Sequence, residues 1–358
     1  MKQIVLLFSI FLISCTTKEV GNKDIIVLST KEHIGKAVEF PDLFEVCGVI
    51  ELESPDECLL GYISKVVSFR SEYYLLDRVQ KCLFVFDENG HYKRRIGTVG
   101  AGPGEYVHLT DFTIDKENGR VVTLDAPFNV YLYDLQGNFL VAKKLDKSMF
   151  WNLISDKNGF VCTTGYSTYV EGDKAFLIYR FDKNFNFSYK EIEVLPLQMV
   201  APPRTSALMQ EYRGKTFYID SYRNKIYHIG ENTTVTPYQI EFEEPMPYRV
   251  FSDMQDFMQS QQKYDFLMEA FVTDKEILLT YIHRGKYYAA KFDMNGKVLV
   301  NASYKGRFPT LYPSDDVEMY MYVNAPEYLS YWKDYVSLPL DGSMTEEDNG
   351  LILKCRLK

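Results

Sequence analysis

The chain has 358 residues, 46% of them hydrophobic, and its 40 Lys and Arg against 49 Asp and Glu give a net charge of −9. That balance argues against nucleic acid or an anionic membrane surface as the ligand. An aromatic content of 15%, with 28 Tyr and 24 Phe, suits strands that pack sheet against sheet.

Residues 1–14 read as a processing segment. Met1-Lys2 supplies a short basic start, Ile4 to Ile13 is an apolar stretch too short for a membrane span, and Leu12-Ile13-Ser14-Cys15 has the form of the lipobox cut by bacterial lipoprotein signal peptidase. Cys15 is therefore expected to become an acylated N-terminus. At about 0.8 kcal/mol per buried CH₂, several acyl chains on one residue would hold the protein on a membrane. Residues 15–40, with mixed charges at Lys18-Glu19 and Lys23-Asp24, read as a lipidated tether and approach segment, and 41–358 as the folded domain.

Five hairpin turns recur through that domain, at Asp87, Asp134, Asp182, Gly230 and Asp293, each closing an aromatic or apolar strand such as Phe84-Val85-Phe86 or Tyr131-Leu132-Tyr133. A near-constant period in the high forties, built from short strands, predicts a β-propeller of four-stranded antiparallel blades, because each unit buries its faces only against its neighbours. Turn chemistry agrees: Asp87-Glu88-Asn89-Gly90, Asp134-Leu135-Gln136-Gly137 and Asp293-Met294-Asn295-Gly296 place Gly where φ must be positive and a leading Asp that can bond the turn's own amides. The first unit divides into strands at Lys65 to Phe69, Tyr73 to Leu76, Cys82 to Phe86 and Tyr92 to Ile96. The second gives Asp111 to Ile114, Arg120 to Leu124, Val130 to Tyr133 and Phe139 to Lys144. Alternation along them is imperfect, as expected of strands covered on both faces.

Five turns make five blades, and strand-like Tyr335 to Leu338 and Leu351 to Leu357 supply part of a sixth. The missing outer strand is expected from Cys47 to Leu52, closing the ring and removing open sheet edges. The predicted fold is thus all-β, a six-bladed β-propeller closed by an N-terminal strand.

After the first outer strand comes Ile96-Gly97-Thr98-Val99-Gly100-Ala101-Gly102-Pro103-Gly104-Glu105-Tyr106. This Gly-Pro-Gly-Glu-Tyr run resembles the six-bladed β-propeller lipoproteins of the Bacteroidota, a TolB-like and NHL-like family. Val49-Ile50-Glu51-Leu52-Glu53, before Leu60-Gly61-Tyr62-Ile63, is similar to that family's entry strand. The resemblance implies a propeller anchored in the cell envelope, at the outer membrane, and no particular reaction; the lone Glu19 after Cys15 leaves the periplasmic and surface faces both open. Physically, Gly100, Gly102 and Gly104 allow conformations closed to other residues, Pro103 stiffens the loop, and Glu105 can lock it by accepting backbone N–H bonds, with Tyr106 following. A phosphate cradle is disfavoured, since no Gly-Lys-Ser/Thr ending or helix follows.

Strand direction places the loops after second strands and after fourth strands on one rim, and the hairpins at Asp87, Asp134 and Asp293 on the other. The long insertions Leu195 to Arg204, Pro245 to Tyr264 and Gly306 to Pro326 all fall on the first rim, where binding surfaces are built. Within the second, Ser252-Asp253 followed by Met254, Phe257 and Met258 predicts a capped helix toward Gln262 that lies across the channel as a lid or packs on the rim. Candidate ligand-binding residues on this rim are Arg78, Lys81, Asn129, Tyr222, Arg223, His283 and Arg284, a mixture that suits a glycan, a peptide or an envelope protein. The competing reading is a metal-dependent lactonase-like or lyase-like enzyme holding a divalent ion in the channel on Glu105, Asp111, Asp125 and Asp220. No reactive motif accompanies these carboxylates, and His33, His91, His108, His228 and His283 are scattered. A binding module without a cofactor is therefore preferred to an enzyme, and a scaffold with no small ligand is the third reading. Beyond Cys15 there are five cysteines; Cys47 and Cys58 flank a turn at Ser54-Pro55-Asp56 and are the pair to expect if a disulfide forms, against the alternative of five buried thiols.

Overall fold

Four of the five recurrent turns close on their leading aspartate. Asp87 Oδ1 accepts the N–H groups of Asn89 and His91, Asp134 Oδ1 those of Gln136 and Asn138, Asp182 Oδ1 those of Asn184 and Asn186, and Asp293 Oδ1 those of Asn295 and Lys297. The Asn138 and Asn186 side-chain amides, and then the turn amides, hold the Asp134 and Asp182 carboxyls below the usual aspartate range. A depressed folded-state pKa contributes stability that is present above the unfolded value and lost as pH falls through the folded one. Thermal melts between pH 6 and 3 should therefore show a fall below about pH 4 that is shallower in an Asp134→Ala, Asp182→Ala variant than in the wild type. Parallel curves would remove these turns from the acid response.

The computed structural model describes residues 25–33, 35–145, 147–166, 175–194, 208–231, 233–315, 317–336 and 344–358. The processing segment, Cys15 and the Leu195 to Arg204 insertion lie outside them. Six sheets form the ring. The first blade comprises Ile63–Phe69, Glu72–Asp77, Cys82–Asp87 and Tyr92–Ile96, and the second Leu109–Asp115, Arg120–Asp125, Asn129–Asp134 and Phe139–Lys144. The third runs Asn152–Asp156, Gly159–Thr163, Phe176–Phe181 and Phe187–Glu193, and the fourth Met209–Tyr212, Lys215–Asp220, Lys225–Ile229 and Thr234–Glu241. Phe266–Val272, Glu276–His283, Lys286–Asp293 and Val298–Ser303 make the fifth. In the sixth, Leu311–Pro313, Met319–Val323 and Leu351–Leu357 are joined by Phe44–Glu51, antiparallel to Leu351–Leu357 from Phe44 opposite Leu357 to Glu51 opposite Leu351.

The core is distributed between blades. Tyr74 and Leu76 of the first blade pack with Phe112 and Ile114 of the second, while Leu75, between them in sequence, turns the other way to meet Tyr320 and Ile352 of the sixth. Such strands are buried on both faces, which is why their sequences do not alternate. Equivalent apolar layers join the second blade to the third, the third to the fourth, the fourth to the fifth and the fifth to the sixth.

The approach segment is part of the ring from Ile26 onward. Ile26–Ser29 adds a fifth strand, parallel to Thr234–Glu241, at the outer edge of the fourth blade. The buried Asn301 side chain of the fifth blade donates to the carbonyls of Thr30 and Glu32, Val38 bridges to Tyr304, and Phe40–Leu43 forms one helical turn before the chain enters the sixth blade.

Three expectations are corrected. Gly306 to Pro326 is not a rim insertion, because it contains the first two strands of the sixth blade. Tyr335 and Val336 are not strand but follow a 3₁₀ turn at Trp332–Asp334, with 337 and 338 outside the described residues. Cys47 and Cys58 are not joined: all five cysteines described are free, four of them buried, and Cys47 is exposed with its thiol near the Lys354 carbonyl. The capped helix expected on this rim is present as Met254–Ser260, with Asp253 as the cap, its carboxylate accepting the Asp256 N–H, after a 3₁₀ turn at Tyr248–Ser252. Phe251 and Phe257 pack it toward Phe266 and Ile282, on the rim of the fifth blade.

Candidate functional site

Second strands end in the same way in three blades, with Leu76-Asp77, Leu124-Asp125 and Ile219-Asp220, and this recurrence decides what those carboxylates do. Asp77 accepts the N–H groups of Gly61, Val79 and Gln80. Asp125 accepts those of Val107 and His108, and Asp220 accepts the Tyr166 hydroxyl at 2.5 Å, the Arg223 N–H and the Arg223 guanidinium, both at 3.1 Å. Each ties the start of a loop or a neighbouring blade to the strand end, a structural role that consumes its lone pairs. Burial pushes the Asp220 carboxyl up, opposed by Tyr166 and Arg223.

The four carboxylates considered for a metal are not brought together. Asp111 pairs with Lys65 at 2.8 Å and accepts the Phe112 and Leu153 N–H groups, while Glu105 accepts the Gly102 N–H at 2.7 Å inside its own loop. Among the described residues no three His, Cys, Asp or Glu side chains cluster as a metal site would require. The central channel is lined by inner strands and holds a cavity of about 100 Å³. Lys116 spans it, pairing with Glu211 at 3.1 Å and Asp315 at 2.8 Å. Burial pushes the Glu211 carboxyl up against the pull of Lys116.

The Gly-rich loop is a clamp. Thr98–Val99 pairs parallel with Glu105–Tyr106, the Tyr106 hydroxyl donates to the Ile96 carbonyl and the Tyr133 hydroxyl to that of Gly104. Gly104 has φ +75°, and a Cβ there would lie 2.6 Å from the Phe139 ring. A Cβ on Gly100 would meet the Glu105 carboxylate, so that glycine makes room for the lock.

Of the seven rim residues expected to bind ligand, Arg78 and Lys81 line a cavity of about 380 Å³ over the first three blades, shared with His108, Pro127, Met149 and Trp151. Asn129 is half-buried and begins the third strand of the second blade, outside that cavity's lining. The other four lie over the fourth and fifth blades. Tyr222 packs among Tyr166, Tyr248 and Phe251. Arg223 is not an exposed loop residue: its side chain is 15% exposed and bonded to Asp220, Tyr166 and the Glu193 carbonyl. His283 Nδ1 meets Asp265 at 2.8 Å, with its ring against His33 and Tyr288, and Arg284 makes an exposed ion pair with Glu243 at 3.1 Å. Sequence reasoning missed Trp151 and His108. The signal was present: Trp151 is one of two tryptophans and sits in a connection from a fourth strand to the next first strand, on the rim already singled out. It is 42% exposed, whereas Trp332 is 2% exposed.

Comparison with solved structures finds the same architecture elsewhere. A Bacteroides fragilis protein described as exported superposes with a TM-score of 0.74 at 18% identity, over 93% of this chain and 99% of that one. A Bacteroides vulgatus member of the DUF4221 family gives 0.58 at 7% identity, over 88% and 99%. No curated protein matches the chain. The model of a family described as 6-bladed beta-propeller, DUF5128, matches residues 15–321, and the chain belongs to that family.

Proposed function

We propose that this propeller is an exported, lipid-anchored binding module of the cell envelope, held at the outer membrane through Cys15, and that its rim pocket takes a polar ligand: a glycan, a peptide or a segment of a partner protein. The observation that carries this reading is the half-exposed Trp151 indole beside Arg78, Lys81 and His108 in one cavity. A large aromatic left in water is a feature of binding surfaces, because its apolar face and N–H are both available to a partner. Export is supported by the Leu12-Ile13-Ser14-Cys15 segment and by the similarity to a Bacteroides fragilis protein described as exported. The reading requires no cofactor.

Because Trp332 is buried, its emission is a constant background, and a ligand-dependent change in intrinsic fluorescence reports on the exposed Trp151. A ligand drawn from glycan and peptide screens should shift that emission, and Trp151→Ala should weaken it at least about tenfold, the loss of one well-packed aromatic anchor. Glu88→Ala and Gln136→Ala, on the opposite rim, should leave affinity unchanged. A ligand indifferent to Trp151→Ala would overturn the rim assignment. For the anchor, mass spectrometry of membrane-extracted protein should find an acylated Cys15 at the N-terminus, and Cys15→Ala should release the chain; unmodified soluble protein from the wild type would contradict it.

A further inference from the structure

We infer that the rim pocket recognises an acidic sugar, with the carboxylate of a uronic acid held by Arg78 and Lys81 and the pyranose ring laid on Trp151. This deepens the rim-binding reading and rests on it.

Charge is the first ground. The protein is acidic, yet among the described residues neither Arg78 nor Lys81 has an ion-pair partner, and the Arg78 guanidinium reaches only the Thr110 carbonyl at 3.4 Å. The two rim arginines over the fourth and fifth blades are paired, Arg223 with Asp220 and Arg284 with Glu243. Two uncompensated cations in one concavity select an anion, and the planar arginine fork matches a carboxylate in two parallel hydrogen bonds. The cations sit beside an apolar wall of Trp151, Pro127 and Met149, so the ligand must carry its charge next to an apolar face. A pyranose does so: its axial C–H bonds form a flat apolar patch that lies on an indole while its substituents point outward.

The backbone supplies a further ground. A peptide bound in extended form draws much of its affinity from main-chain hydrogen bonds. Here four of the lining N–H groups are already used, Arg78 donating to Tyr62, His108 to the Asp125 carboxylate, Ala126 to His108 and Trp151 to Thr163, while Pro127 has no N–H. Recognition therefore falls mainly to side chains, which suits a sugar. The cavity of about 380 Å³ is on the scale of small-ligand sites.

Isothermal titration calorimetry of the full chain with trigalacturonate, neutral galactotriose and triglutamate decides the matter. Trigalacturonate should bind at least about tenfold tighter than the other two. Arg78→Ala and Lys81→Ala should each weaken it by about ten- to a hundredfold, and the double variant should erase the preference for acid over neutral sugar. Trp151→Ala should weaken both sugars. If both sugars bind equally but still need Trp151, the acidic-sugar inference fails and the rim reading stands. Tighter binding of triglutamate, or no binding of trigalacturonate, overturns the sugar class. Sugar binding that ignores Trp151, Arg78 and Lys81 alike refutes both.

Discussion

Arg223→Ala is expected to destabilise the ring by about 3 to 5 kcal/mol, the cost of leaving a buried carboxylate without its cation. The Asp220 side chain is wholly buried and Arg223 itself only 15% exposed, so solvent screens the pair weakly. The guanidinium also donates to the Tyr166 hydroxyl and, at 2.6 Å, to the Glu193 carbonyl, so it fastens the third blade to the fourth. Urea denaturation should show a lowered midpoint with unchanged slope. Adding Asp220→Asn should restore part of the loss, because the orphaned charge is then gone. Arg284→Ala, at a surface pair with both side chains about half exposed, should cost less than about 1 kcal/mol. A melt of Arg223→Ala that matches that of Arg284→Ala would show that the network carries no stability.

Deleting Leu351 onward should abolish cooperative folding rather than fray one end. This strand lies second from the edge of its blade, paired on both sides with Phe44–Glu51 and Met319–Val323. Leu351 and Leu353 face the fifth blade and Ile352 the first, all fully buried. At about 1.5 to 3 kcal/mol for each buried aliphatic, three of them approach the roughly 5 to 15 kcal/mol that holds a domain together, before any strand pairing is counted. Circular dichroism on heating should show no single transition in the truncated chain, whereas Leu353→Ala should retain one, lowered by about 2 to 5 kcal/mol. An unchanged melt after truncation would mean that the sixth blade is dispensable to the ring.

The blades were legible because their signals are local: an Asp, a Gly or Asn three or so residues on, and an aromatic strand before. The sixth blade escaped in part because it lacks those signals. Its inner strand has three residues and ends on Pro313, and its outer strand comes from the other end of the chain, so no hairpin turn announces it. The site divides in the same way. Arg78 and Arg223 look alike in sequence, each just beyond an Asp at a second-strand end. What separates them is Tyr166, 57 residues from Arg223, which completes a closed network there with no counterpart at Arg78 among the described residues. Long-range partners of that kind leave no trace in local spacing. Trp151 needed only the observation that a rare aromatic falls on the loop-rich rim.

The strand Ile26–Ser29 has a consequence for how the molecule is made. Its partner, Tyr238 to Glu241, leaves the ribosome more than 200 residues later. At about 5 to 20 residues per second, the strand waits roughly 10 to 40 s with both of its edges unsatisfied. During that interval Ile25-Ile26-Val27-Leu28 is a sticky β-forming segment, and its neighbours in sequence are Lys23-Asp24 on one side and Lys31-Glu32 on the other. Charges in those positions act as gatekeepers against pairing with another nascent copy. Once the fourth blade exists, Lys31 turns to Glu241 at 2.7 Å, so a residue that guards the segment during synthesis fastens it afterwards.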